Sequence, residues 1–169
     1  MARLFFAIWP GAAASRELAL AGQTLAGLAG GKPVPAEKIH MTLAFLGSVS
    51  DDAASGAANA AASVRGKPVS IVVDTVGSFR RARVGWAAAS QAFPELTALQ
   101  SDLARALLGR GFTLEERQFN PHATLVRKIA RPIPRAPTAP IAWTSTAFTL
   151  VQSTGGRYEI LESWALRVD

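Results

Sequence analysis

The chain has 169 residues, 49% of them hydrophobic, with no cysteine and two histidines. That length carries one substantial core or two small lobes sharing a cleft, the apolar content excludes a disordered chain, and the lack of cysteine excludes disulfides, thiol nucleophiles and cysteine-held metals. Eighteen basic against twelve acidic side chains leave a charge of +6, concentrated in residues 80–135 (ten basic, four acidic), which fits either a polyanionic partner such as nucleic acid or a basic surface that only keeps the protein soluble.

In chain order, Leu4 to Trp9 reads as a buried strand ended by Pro10-Gly11. Ser15 offers an N-cap to a helix that runs to about Leu28 and closes at Gly30-Gly31. Pro33 and Pro35 form an extended connection to a strand from Ile39 to Leu46, which Gly47 stops. Ser50-Asp51-Asp52 caps an alanine-rich helix to about Val64. Val69 to Gly77 and Val84 to Ala89 are strands around a basic turn, Phe79 to Arg83, and Pro94 opens a helix to about Leu108. Phe112 to Glu116 is a short strand or an extended loop. Asn120-Pro121 turns into a strand from His122 to Arg127. Four prolines in Arg131 to Pro140 predict an extended loop outside any sheet. Ala142 to Gln152 and Arg157 to Val168 are strands joined by a hairpin at Gly155-Gly156. Met1 to Pro10 lacks a signal-peptide core and no uncharged stretch is apolar enough to span a bilayer, so a soluble, cytoplasmic protein with no membrane partner is expected.

Two of these strands carry one phrase, His40-Met41-Thr42-Leu43 and His122-Ala123-Thr124-Leu125, at an offset (122 − 40 = 82) that Leu4 and Trp86 share. In a strand, side chains two apart share a face, so each His would stand beside its Thr while Met41, Leu43, Ala123 and Leu125 turn to the core. On a helix the same pair would diverge by about 200°. The repeat predicts two halves, each a strand, a helix, a phrase-bearing strand and a returning strand or hairpin. The expected fold is α+β: one domain over residues 1–169, two pseudo-symmetric lobes of largely antiparallel sheet forming a central cleft, with helices packed outside.

Imidazole titrates near pH 6.5, so one His can accept a proton while another donates one. Thr42 and Thr124 can hydrogen-bond a tetrahedral anion held between them, and nearby cations can neutralise its charge. That set suits phosphoester cleavage without metal, cofactor or covalent intermediate. No nucleophile elbow, Walker loop or dinucleotide motif is present, and the acidic residues are too scattered for a two-metal site. Strict alternation points Arg127 away from His122, so it reaches a phosphate only if the strand bulges. Arg83, with Arg80 and Arg81, is a candidate for an RNA backbone. Phe5, Phe45 and Trp86 read first as core and second as base platforms. Tyr158 and Ser153 are further candidates for substrate contact.

With these phrases, the flanks Arg3-Leu4-Phe5, Phe45-Leu46-Gly47, Gly77-Ser78-Phe79, Gly85-Trp86, Phe119-Asn120-Pro121, Val126-Arg127, Gln152-Ser153 and Trp164-Ala165-Leu166 follow in the order of a known family. The chain resembles the 2H phosphoesterases, in particular the bacterial and archaeal RNA 2',3'-cyclic phosphodiesterases, also called 2'-5' RNA ligases. The resemblance implies opening of a terminal 2',3'-cyclic phosphate of RNA to a 2'-phosphate, with His40 as proton donor and His122 as acceptor. It also implies exchange of 2'-5' RNA linkages, a ribose hydroxyl replacing water. The expected partners are RNA ends or a cyclic nucleotide, with no metal, and the expected state is a monomer. A module that binds RNA ends without turning them over, and the same chemistry on a small cyclic nucleotide, are the alternatives.

Overall fold

The computed structural model describes residues 2–168; Met1 and Asp169, the ends of the expected domain span, lie outside the described residues. The elements are β1 (Ala2–Ile8), α1 (Ala12–Ala29), β2 (Lys32–Pro33), a 3-10 turn (Ala36–Lys38), β3 (Met41–Val49), α2 (Asp51–Ala62), β4 (Val69–Phe79), β5 (Val84–Ala88), α3 (Pro94–Leu108), β6 (His122–Arg127), β7 (Ala136–Ser145), β8 (Ala147–Thr154) and β9 (Arg157–Ala165). Proline at the first turn and Gly109 at the end bound α3 as expected. Its Leu96, Leu99, Leu103 and Leu107, spaced at three and four residues, form its buried stripe. The Ser50 hydroxyl caps α2 by accepting the Ala53 N–H at 3.2 Å. Helix α1 begins a turn earlier than expected: three alanines extend it back to Gly11, and the Ser15 N–H bonds the Gly11 carbonyl at 2.9 Å inside the helix.

The strands hydrogen-bond in the order β7-β4-β5-β6-β3-β1-β8-β9, every pair antiparallel, with β2 added to β6. The order is balanced about the β6–β3 boundary. Strands β3 and β6 are joined there by one residue pair, Met41 opposite Ala123, and then diverge. The divergence opens the cleft that the duplication predicts. The lobes are not consecutive halves of the chain, however. Strand β4, which follows β3, pairs with β5 in the second lobe, and β8 crosses back to pair with β1 in the first. The offset also shifts. Ala7 stands opposite Thr42 as Trp86 stands opposite Thr124, so Trp86 corresponds to Ala7 (86 − 7 = 79) rather than to Leu4.

Three further expectations change. Residues 136–140 are strand, not loop, because β7 lies at the edge of the sheet, where a proline that cannot donate is tolerated. Pro137 faces Thr75, and the pairing is irregular between Val73 and Thr75. The run from Ala142 to Gln152 is cut at Thr146, since Ser145 still pairs with Val69 of β4 while Ala147 pairs with Ala165 of β9. Phe112 to Glu116 is loop, and Gly47, at φ 72°, lets β3 continue to Val49. At the β8–β9 hairpin both glycines take positive φ, 57° and 81°, as the expected two-residue turn requires.

Helix α1 packs on β5, β6 and β7, and α3 on β3, β4 and α2, leaving the opposite face of the sheet for the cleft. Gly22 sets how closely α1 approaches: a Cβ there would lie 2.7 Å from the carbonyl oxygen of Leu125. Leu4, Phe6, Ile8, Leu18, Leu99, Leu103, Leu125 and Phe148 fill the core. No helix of the described residues is long and apolar enough to cross a membrane.

Candidate active site

Both phrases open onto one cleft of about 770 Å³ between the lobes. His40 lies one residue ahead of β3 and His122 starts β6, yet each makes the same bond: Nδ1 donates to the carbonyl two residues back, Lys38 for His40 and Asn120 for His122, both at 2.8 Å. A carbonyl only accepts, so the Nδ1 proton is held in place in either protonation state. Nε2 is then the nitrogen of each ring that can exchange a proton with a substrate.

Thr42 and Thr124 line the cleft beside their histidines. Each strand then bulges at the leucine that follows. In β6, Gly85 faces Val126 and Trp86 faces Thr124, which leaves Leu125 as the extra residue. In β3, Phe6 faces Ala44 and Ala7 faces Thr42, which leaves Leu43 extra. The bulge reverses alternation, so Arg127 joins His122 and Thr124 in the cleft, as it could not on a regular strand. Phe45, which precedes Arg127 by the offset that separates the phrases (127 − 45 = 82), joins His40 and Thr42 by the same device. The two-fold repeat thus puts a half-exposed phenyl ring on one wall and a guanidinium on the other.

The histidines differ in their surroundings. His40 stacks on buried Phe5 (centroids 4.9 Å apart, planes at 25°), with Trp9 at 5.2 Å and the edge of Tyr158 at 5.5 Å. Burial among these rings holds its pKa below the ordinary 6.5; the charges of Arg127 and His122 add to this, and the bond to the Lys38 carbonyl opposes it. His122 has the edge of Phe79 at 5.0 Å. Behind Phe79 stands Trp86, at 5.7 Å.

Of the candidates from sequence, His40, Thr42, His122, Thr124, Arg127, Ser153, Tyr158, Phe5 and Phe45 all line this cleft. Arg83 does not. Its Nε donates to the Ile129 carbonyl at 3.0 Å and its own carbonyl accepts the Ile129 N–H, so it ties the β4–β5 turn to the chain after β6. Arg80 and Arg81 stay exposed on that turn. Trp86 is core: it is 6% exposed and crosses Gly77. Sequence reasoning missed Lys38, whose Nζ bonds the Gly156 carbonyl and lies 5.5 Å from the Tyr158 ring, clamping the hairpin beside His40. It also missed Arg3, Lys32 and Lys128 on the rim and Phe79 behind His122. The basic excess of residues 80–135 was a partial guide: Arg127 and Lys128 come from it, but Arg3, Lys32 and Lys38 come from earlier in the chain. Among the described residues no group of three or more His, Asp or Glu is placed to hold a metal ion. A shallower groove of about 660 Å³, between the start of α2 and the end of α3, carries neither histidine.

A family profile described as LigT like phosphoesterase matches the chain over residues 8–86 and again over 88–155, one match for each phrase. The RNA 2',3'-cyclic phosphodiesterase of Escherichia coli (strain K12) is 32% identical over 142 residues, 80% of each protein. That of Aeropyrum pernix is 36% identical over 107 residues, 61% of each. The crystal structure of E. coli LigT complexed with 3'-AMP superposes with a TM-score of 0.89 at 30% identity, covering 98% of both chains. The chain belongs to the LigT-like phosphoesterase family.

Proposed function

We propose that this chain opens the 2',3'-cyclic phosphate at an RNA end to a 2'-phosphomonoester, with His40 and His122 as a proton donor and acceptor. The observation that carries the reading is the matched pair of imidazoles, each pinned through Nδ1 with a threonine beside it, facing one cleft. Relatives named for this activity, and one of them solved with a nucleoside 3'-phosphate, support it.

His122 has fewer aromatic neighbours and receives the water: its Nε2 takes a proton as the water oxygen bonds to phosphorus. The P–O3' bond breaks, and the Nε2 proton of His40 passes to O3'. Burial makes the His40 imidazolium a ready donor, while the bound phosphate's negative charge favours that imidazolium before the transfer. Thr42, Thr124 and Arg127 hold the equatorial oxygens as charge builds on them. Phe45 offers its ring to a base, and Phe5 and Tyr158 wall the donor. Ser153, which lines the cleft, contacts the substrate there. A ribose hydroxyl in place of water gives a 2'-5' linkage by the same transfers. The protein works as a single two-lobed domain whose cleft one chain completes, as a monomer, and in the cytoplasm with its RNA.

Incubating the protein with an RNA ending in 2',3'-cyclic phosphate, in excess chelator, tests this. The expected product is the 2'-phosphate, with the rate reduced about 10²–10⁴-fold in both His40→Ala and His122→Ala. Absence of product, or full activity in either variant, overturns the mechanism.

A further inference from the structure

The rim of the cleft on the second lobe holds more positive charge than one phosphate uses. Lys32 of β2 stands directly opposite Arg127 of β6, so their side chains share a face. Lys128 follows Arg127, and both lysines line the cleft. Among the described residues none of the three makes an ion pair, and no acidic side chain lines the cleft at all. Charges this close repel one another, so three unneutralised cations on one wall are an arrangement that an anion relieves.

The backbone fixes where the Lys128 charge sits. Lys128 has φ 58°, in the left-handed region that residues with a Cβ avoid. The surroundings hold it there. Gly31, whose Cβ would come 2.4 Å from the Arg127 carbonyl oxygen, lies against this segment; the Ile129 N–H bonds Arg83 and the Ala130 N–H bonds Ala29. The left-handed step ends β6 and leaves the Lys128 side chain at the cleft rather than on the outer surface of the sheet. A glycine would take this conformation freely, yet a lysine occupies it; Arg83, at φ 55°, is held in the same region away from the cleft, so what distinguishes Lys128 is that its strained step leaves a cation at the cleft.

We infer that Lys32 and Lys128, outward of Arg127, form a second phosphate subsite that takes the 5'-phosphate of the nucleotide whose cyclic phosphate lies between the histidines. This rests on the activity proposed above and narrows its substrate class: a nucleotide with a 5'-phosphate, as within any RNA chain, is preferred over a nucleoside cyclic phosphate without one. Phe45, the histidine pair and the two lysines then hold base, 2',3' edge and 5' edge.

Calorimetry with adenosine 2'-phosphate and adenosine 2',5'-bisphosphate reads the subsite without turnover. The wild type is expected to bind the bisphosphate about tenfold more tightly, as charge-assisted contacts to one added phosphate imply. Lys32→Ala and Lys128→Gly should each cut that advantage to about threefold or less. Lys128→Gly relaxes the backbone as it removes the charge, so loss of folding does not explain its result. Arg3→Ala, which removes a cleft cation near Phe45, should leave the ratio of affinities in place. Equal affinity of the wild type for the two ligands overturns the inference; so does an equal fall in Arg3→Ala, which would make the effect that of a diffuse field. A bisphosphate preference that persists while cyclic phosphates are not cleaved would defeat the proposed activity and leave the subsite standing. Cleavage with no such preference would do the reverse.

Discussion

Gly77 is the position where one added methyl group should travel furthest. It pairs with Trp86, and a Cβ on it would lie 2.5 Å from Cζ2 and 2.7 Å from Cη2 of the indole. The ring has no easy retreat, because Arg135 covers it at 5.7 Å and Phe79 flanks it at 5.7 Å. Its Nε1 is buried without a hydrogen-bond partner, so packing alone sets its position. Gly77→Ala therefore overpacks a closed site, at a cost of about 1–3 kcal/mol. A cost near 2 kcal/mol lowers Tm by roughly 4–8 °C in a chain of this size. In a Trp86→Leu background the clash is absent, and the same substitution should cost about 1–2 kcal/mol less. Urea titrations of the four proteins in this cycle measure both numbers. The displacement also reaches the chemistry, since Phe79 packs its edge on His122 at 5.0 Å. A several-fold fall in kcat is expected with the loss of stability. A cost below about 0.5 kcal/mol, or an equal cost in both backgrounds, would refute the packing argument.

Other expectations are independent of that one. With two histidines in the chain, His122→Ala leaves one imidazole signal in a proton–carbon NMR titration, and the remaining His40 should titrate below the ordinary value, with added phosphate raising it. A lowered native pKa means that the unfolded chain binds the proton first. The stabilising contribution is therefore complete above about pH 6.5 and declines as pH falls towards the native pKa. A midpoint at or above 6.5 contradicts the burial argument. Phe45→Ala should weaken nucleotide binding by about tenfold while Phe45→Trp retains it, within the range for one base stacked on an aromatic ring; unchanged affinity in the alanine variant removes the base platform. Arg83→Ala should cost about 1 kcal/mol in urea denaturation for its lost bond to Ile129. Arg83→Gly should be the more stable of the two, because Arg83 sits at φ 55° and glycine relieves that strain. Equal stabilities, or the reverse order, count against the strain.

Local chemistry in the sequence was enough for the elements whose ends are set by their own residues. Pro94 and Gly109 bound α3, and Asn120-Pro121 starts β6. The phrases were legible because alternation makes His and Thr neighbours, and the condition on Arg127 was legible too: it needed a bulge, and Leu125 supplies one. That Leu43 bulges in parallel and turns Phe45 inward was not legible, since a bulge shows only in the pairing of two strands. The prolines of β7 misled for a similar reason: whether a strand lies at an edge depends on partners distant in the chain. Arg83 misled because a cation near the site in sequence found a carbonyl acceptor nearby. Among the cleft cations, Arg3 was legible only as part of the family flank Arg3-Leu4-Phe5, and Lys32 and Lys38 gave no signal, being isolated in a segment of balanced charge.

The crossing of β8 into the first lobe also sets a schedule for biosynthesis. Strand β1 gains an outer edge once β3, complete at Val49, has paired with it, but the partner for that edge begins only at Ala147, after most of the chain has followed. At about 5–20 residues per second, a nascent chain waits roughly 5–20 s with that edge unpaired and with apolar Phe5 and Phe6 beside it. Ribosome stalling between the second phrase and β8 would strand both histidines in a chain whose first lobe lacks its outer strands. Such chains would aggregate through the open edge or be degraded. Slower synthesis lengthens that exposure and should lower the yield of folded protein.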